Sequence, residues 1–280
     1  MKLPPLELEA VRKAMLHANN RRLSRSLLAT LGPSLATLHT RPERVPLLVA
    51  CVTELLEHTE AYHPGDYSIL VLPHFLLGLG WWKDPACELL AHVDQAPGMR
   101  QQERLALLTE HTINHRQQLE KQLSRMHDIT LSMLEAPAQS EDPNHLWYAL
   151  EQLMTLRGIA CETQQASYRL YEADAYARYA LARPSPQELS GNQLLGYQHY
   201  GIRIPQPSDD LRKLAPLSRH HVLLHIALAI TFGRYFHHNP LFSSWVKPLD
   251  ELQCPRERGR QLARELIAHQ QALKDNFSHA

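Results

Sequence analysis

The chain has 280 residues, 44% of them hydrophobic, with 29 Lys plus Arg balancing 29 Asp plus Glu. That length holds one large domain or two modest ones, with enough apolar content to build a core without staples. A formal charge of zero argues against a nucleic-acid protein, whose affinity comes largely from excess cations.

The first residues, Met1-Lys2-Leu3-Pro4-Pro5-Leu6-Glu7, lack the apolar core of a signal peptide. A helix is predicted over residues 6–31, with a weak point at Asn19-Asn20 and a stop at Gly32-Pro33. A second is predicted over 42–62, with Leu48, Cys51, Val52, Leu55 and Leu56 on its apolar face. The apolar run 67–82 contains Pro73 and His74 and is too short for a membrane span. Asp66 is expected to cap its first turn, and Lys83-Asp84-Pro85 to start another helix with Pro at the first position. Within this run, Gly78-Leu79-Gly80 fits close helix packing, and Trp81-Trp82 fits one core and one marginal indole.

Residues 99–135 would extend about 55 Å as one helix at 1.5 Å per residue, longer than a compact domain of this size. Leu105, Leu108, Leu119, Leu123, Met126, Ile129 and Met133 are its apolar positions. The stretch 109–118 is polar on every face, which argues against an uninterrupted coiled coil. Ala136-Pro137-Ala138-Gln139-Ser140-Glu141-Asp142-Pro143 has the composition of a linker. Helices are predicted over 145–157 and 162–182, the second with a core stripe of Leu170, Ala173, Ala177 and Leu181. The Pro-rich stretch 184–216 is irregular. Ser218 is placed as the cap of a very apolar helix to about 235, and a final helix runs over 255–274. Strand periodicity is absent. The expectation is therefore an all-α multi-helix bundle in two helical subdomains, 1–136 and 145–280, joined near 136–144.

Histidine is the compositional outlier, with 18 copies. Spacing of i,i+4 puts His111/His115 and His221/His225 each on one helix face. A single Glu-x-x-His, Glu60 to His63, falls short of the two such motifs plus two glutamates of a carboxylate-bridged dimetal bundle. The zincin motif is absent. A metal-binding helical enzyme or sensor using His111, His115, Glu60 and His63 is the alternative reading; the preferred reading gives these histidines structural roles and expects no cofactor. The four cysteines, Cys51, Cys87, Cys161 and Cys254, form no CxxC pair. Reduced, mostly buried thiols in a cytoplasmic protein fit that spacing. Neither a GxSxG elbow nor a phosphate-binding glycine loop occurs, and Asp209-Asp210 reads as a helix cap.

Two helix faces fit binding of another protein. Tyr168, Tyr171 and Tyr179 share a face beside the expected core stripe, and tyrosine suits core margins and interfaces alike. Arg256, Arg260 and Arg264 recur every four residues, opposite Leu262, Leu266, His269 and Leu273. A nucleic-acid reading of Arg21, Arg22 and Arg25 ranks below these, because the chain is neutral and shows no helix-turn-helix.

In the last third, Tyr200-Gly201-Ile202 is followed by Asp209-Asp210 and then the apolar helix 221–232. The sequence continues as Phe232-Gly233-Arg234-Tyr235-Phe236-His237-His238-Asn239-Pro240-Leu241-Phe242-Ser243-Ser244-Trp245. Residues 197–273, with Leu249, Arg258 and Leu262 in the closing helix, resemble small helical accessory proteins encoded beside the spike and effector genes of bacterial type VI secretion loci. His237-His238-Asn239 replaces the acidic residues usual there, and Ser244 stands where Pro often precedes Trp. The resemblance implies a bacterial, non-enzymatic accessory role of adaptor, chaperone or immunity type, with a secreted effector as a partner and with Trp245 in the partner-binding set. No nucleic acid and no membrane span are expected, and a homo-oligomer stays open.

Overall fold

A computed structural model describes residues 5–31, 41–57, 66–88, 98–135, 143–181 and 214–278. Among them lie nine α-helices and no strand, so the fold is all-α. The helices are α1 (Pro5–Leu31), α2 (Val45–Glu57), α3 (Tyr67–Leu76), α4 (Gln101–Glu135), α5 (Pro143–Arg157), α6 (Gln164–Arg178), α7 (Pro216–Phe232), α8 (Ser243–Glu251) and α9 (Pro255–Ser278). No described helix is long and apolar enough to cross a membrane.

Helix α7 is the axis of the bundle. It is apolar on all sides, and every residue from Val222 to Phe232 is buried, as expected of a helix surrounded by others. It packs against α4, α5, α6 and α9. Pro216 at its first turn, rather than Ser218, sets its start, and no side chain caps it. Proline does this because its missing N–H is one that a helix start leaves unpaired anyway.

Helix α4 runs unbroken for 35 residues, about 52 Å, and packs against α3, α5, α7 and α9. Its buried seam is Leu105, Leu108, Thr112, Arg116, Leu119, Leu123, Met126, Thr130 and Met133, with His127 buried beside it. The seam positions lie three or four apart, so one seam continues through the polar middle. Thr112 and Arg116 fill the seam where leucines are missing. Residues on both sides of 136–144 feed a single hydrophobic core, with Leu123 and Met126 in one cluster with Leu150, Leu153, Leu223 and Leu266.

Several expectations are corrected. Helix α1 passes through Asn19-Asn20 without a break, and Asn20 Nδ2 donates to Thr53 Oγ1 of α2 at 2.9 Å. On α2 the buried face is Val45, Leu48, Val49, Val52, Thr53 and Leu56, while Leu55 is exposed and Cys51 half-buried. Asp66 does not cap α3; it accepts a bond from the Gln101 side chain. Asp84 does cap the short turn Pro85–Cys87, accepting from the Ala86 N–H. On α6 the core face is Ser167, Tyr168, Tyr171, Ala175 and Tyr176, not Leu170, Ala173, Ala177 and Leu181. A tyrosine ring buries more apolar surface than alanine, provided its hydroxyl finds a partner. Only Cys87 of the four thiols is buried; Cys161 and Cys254 are exposed. Trp81 is buried and Trp82 half-buried, as expected.

The C-termini of α3 and α7 meet at Gly78 and Gly233. Both glycines have positive φ, +116° and +97°. A Cβ on Gly78 would lie 2.8 Å from the Phe232 carbonyl oxygen, and one on Gly233 2.8 Å from that of Leu77. Close packing by Gly78 was legible in the sequence, although it occurs just past the end of a helix. Gly158 also has a positive φ of +91°, but nothing stands within 4 Å of where its Cβ would be. Gly78→Ala and Gly233→Ala are therefore expected to cost about 3 kcal/mol each, and Gly158→Ala about 1 kcal/mol, in urea unfolding. Equal losses at the three sites would refute the close-crossing account.

Candidate functional site

Three groups of polar side chains stand out among the described residues. The first surrounds the buried carboxylate of Asp84, in the loop after α3. Its Oδ1 accepts from Tyr171 Oη of α6 at 2.7 Å and from the Ala86 N–H at 3.0 Å. Its Oδ2 accepts from the Arg234 N–H at 2.9 Å, just past α7, and lies 4.0 Å from Arg157 Nη2 of α5. Arg157 bonds directly to the Leu77 carbonyl at 3.3 Å, and Arg116 to that of Leu76 at 3.3 Å. Two guanidiniums thus face the carbonyl end of α3, where the helix dipole favours cations. Arg234 completes the group with a two-pronged ion pair to Asp174 of α6, at 2.6 and 3.0 Å. Burial, then the Asp84 carboxylate, pushes the Cys87 thiol up to about 12. A thiol so held is not a nucleophile at neutral pH. Its centre, Asp84 with Arg157, is buried, and the group fastens α3, α5, α6 and α7 together.

The second group lies where α6, α7, α8 and the turn Phe236–His238 meet. Arg178 of α6 pairs with Asp250 of α8 and stands 3.3 Å from His225 Nδ1. Arginine has no acceptor, so that nitrogen is the unprotonated one. Tyr179 donates to Asp250 Oδ1 at 3.0 Å and stacks on His221 with ring centroids 4.3 Å apart. His237 sits 5.2 Å from His225 and 4.0 Å from His238, centroid to centroid. Arg258 of α9 is wholly buried and donates to the Asp250 carbonyl at 3.2 Å and to that of Leu252. Burial, reinforced by Arg178, holds His225 well below the ordinary imidazole value and His237 at about 3. Burial, then Arg258, lowers His220 to about 4.

The third group is a surface groove between α1 and α2. His17, Ala18, Arg21, Arg25 and Leu28 line its α1 side, and Pro46 and Ala50 its α2 side. Neither arginine pairs with a carboxylate among the described residues. Helix α1 buries Leu23, Ser24 and Leu27, whereas Val11 is 50% and Met15 68% exposed. Leu47 of α2 is also 50% exposed.

The residues expected from sequence distribute unevenly over these groups. Tyr168 and Tyr171 are fully buried, so they offer no face to a partner. The Tyr168 hydroxyl donates to Glu172 at 3.0 Å. Tyr179 is half-buried within the second group. Trp245 is buried against Phe232 and Phe242, with centroids at 5.2 and 6.0 Å. Arg256, Arg260 and Arg264 are exposed. His111 is exposed and His115 half-buried, and Glu60 and His63 lie outside the described residues, as do Tyr200-Gly201-Ile202 and Asp209-Asp210. No group of three or more His, Cys, Asp and Glu that could hold a metal occurs among the described residues. Sequence reasoning missed Arg116, Arg157 and Asp84 as a buried group. A cation inside an otherwise apolar seam was the available signal for Arg116. Comparison with known protein families, curated proteins and solved structures gave no match.

Two outcomes follow from the buried groups. Asp84→Ala removes the partner of Tyr171 and the nearest anion to Arg157, and is expected to cost about 3–5 kcal/mol of stability; Tyr171→Phe should cost about 2 kcal/mol. Urea unfolding of both variants checks this, and a loss under about 1 kcal/mol for Asp84→Ala contradicts it. The lowered histidines set a pH dependence. Burial holds His74 at about 3, far below its unfolded value, so the unfolded chain binds more protons in acid. Stability is fully present above about pH 6.5 and falls as pH drops toward the folded values, by about 1.4 kcal/mol per pH unit for His74 alone. His115, lowered to about 4 by burial and then by Arg157 and Arg116, acts in the same direction, as do His220, His225 and His237. The urea midpoint should fall steeply from about pH 7 to about pH 5. A midpoint that is flat or rises over that interval would rule out neutral buried imidazoles.

Proposed function

We propose that this chain is a non-enzymatic helical accessory protein, of adaptor, chaperone or immunity type, that docks another protein on the groove between α1 and α2. One observation carries the reading: α1 is a 27-residue helix that leaves most of its length uncovered. Isolated helices are marginal in water and draw their stability from a packed face. Helix α1 packs chiefly on α2 and leaves Val11 and Met15 in solvent. A partner that covers these side chains supplies the missing burial. The resemblance of residues 197–273 to type VI secretion accessory proteins agrees with this role and nominates a secreted effector as the partner. The exposed Arg256, Arg260 and Arg264 offer a second, more polar contact face on α9.

Photo-cross-linking in cells tests the reading. A photoreactive residue placed at Ala18 or Leu47 is expected to give a discrete, near-stoichiometric adduct with one protein, and the same residue at the exposed Glu162 is expected to give none. Absence of an adduct at Ala18 and Leu47, or the same adducts at all three positions, would contradict it.

A further inference from the structure

We infer that the occupant of the α1–α2 groove is an acidic, amphipathic helix of a partner protein; this rests on the docking reading above. Three observations fix its chemistry. The groove is bounded by two helices and runs from His17 to Leu28 along α1, about 17 Å at 1.5 Å per residue. Ala18 and Leu28 of α1 and Pro46 and Ala50 of α2 give it an apolar lining. Its length matches a partner helix of about 11 residues. Laying an amphipathic helix in a groove between helices is a common recognition mode, and its apolar stripe needs surfaces such as these.

Charge supplies the rest. Arg21 and Arg25 line the groove, with His17 beside them and no carboxylate in the lining. Arg22 is exposed next to them. Arg25 folds back to donate to the Arg21 carbonyl at 3.3 Å and stays free of anions among the described residues. The chain as a whole has no net charge, so this is a local basic edge on a neutral molecule. The nearest described ion pair, Arg12 with Glu57, lies toward the other end of α1 at 3.6 Å. Glutamates or aspartates flanking the apolar stripe of a partner helix neutralise Arg21 and Arg25, while its apolar side chains cover Ala18, Leu28, Pro46 and Ala50. Nucleic acid would also meet the arginines, but it would leave these apolar side chains uncovered.

The test uses the full chain and three labelled probes read by fluorescence anisotropy. The first is a helical peptide of about 18 residues with leucines at i, i+3, i+4 and i+7 and glutamate elsewhere. The second carries lysine in place of glutamate, and the third is a DNA duplex of similar length. The acidic peptide is expected to bind at least about tenfold more tightly than the basic one, and more weakly as salt is raised. The double variant Arg21→Glu, Arg25→Glu and the single variant Ala18→Asp, all at exposed groove positions, should each lose about tenfold or more, with circular dichroism and melting temperature unchanged. Equal binding of the two peptides, retained binding by the double variant, or duplex binding that depends on Arg21 and Arg25 but not on Ala18 would each overturn the inference. Arginine-dependent dimerisation of the chain itself in sedimentation would overturn it too. If the acidic peptide fails while adducts still form at Ala18 and Leu47, the partner chemistry assigned here is wrong and the docking reading stands. If the adducts are also absent, both fail.

Discussion

Two helix ends that both carry partial negative charge are pressed together in the interior of this protein, and the bundle is organised around making that contact tolerable. The C-termini of α3 and α7 meet with no side chain between them, because Gly78 and Gly233 leave room for each other's neighbouring carbonyls. Bringing carbonyl ends together out of water leaves unpaired acceptors and adds like dipole ends. Cations offset this. Arg116 from α4 and Arg157 from α5 donate to the last carbonyls of α3. Asp84 then sits beside Arg157 and gathers N–H and O–H donors from three directions. Arg258 serves the end of α8 in the same way, by donating to the Asp250 and Leu252 carbonyls. Buried arginine is the recurrent device, and each instance ties the end of one helix to another helix.

The unusual histidine content follows from the same economy of buried polar groups. His74 accepts from the Gly80 N–H through Nδ1 at 3.2 Å and packs edge-on against Trp82, with centroids 4.8 Å apart. His225 accepts from Arg178. His127 and His269 lie side by side in the core, with Phe232 beside both. His74 and His225 act as polar aromatics that fill space and present one acceptor, which requires them to be neutral. Burial alone keeps His74 so, and burial reinforced by Arg178 does the same for His225.

The helical class and most helix positions were legible because apolar residues recur at helical spacing. The register of α4 was harder to read. Thr112 and Arg116 occupy seam positions that a hydrophobicity pattern scores as breaks, and the carbonyl of Leu76 across the interface, with Glu120 one turn on, accounts for the arginine. On α6 the alanine and leucine stripe looked like the core, yet Tyr168 and Tyr171 took it, because Glu172 and Asp84 stand within reach of their hydroxyls. Partners 87 residues away in the chain, as Asp84 is from Tyr171, leave no local trace. The α1–α2 groove was half visible: Arg21, Arg22 and Arg25 were conspicuous, but exposure of Val11 and Met15 depends on which elements pack on α1.

Hydrogen exchange at the two amides that donate to Asp84, those of Ala86 and Arg234, tests most directly whether the α3–α7 crossing holds the bundle together. If it does, both amides exchange only by global unfolding, with protection equal to the free energy from denaturation and well above that of the α1 amides. Exchange of either amide through local opening, at a protection level like that of α1, would contradict the account.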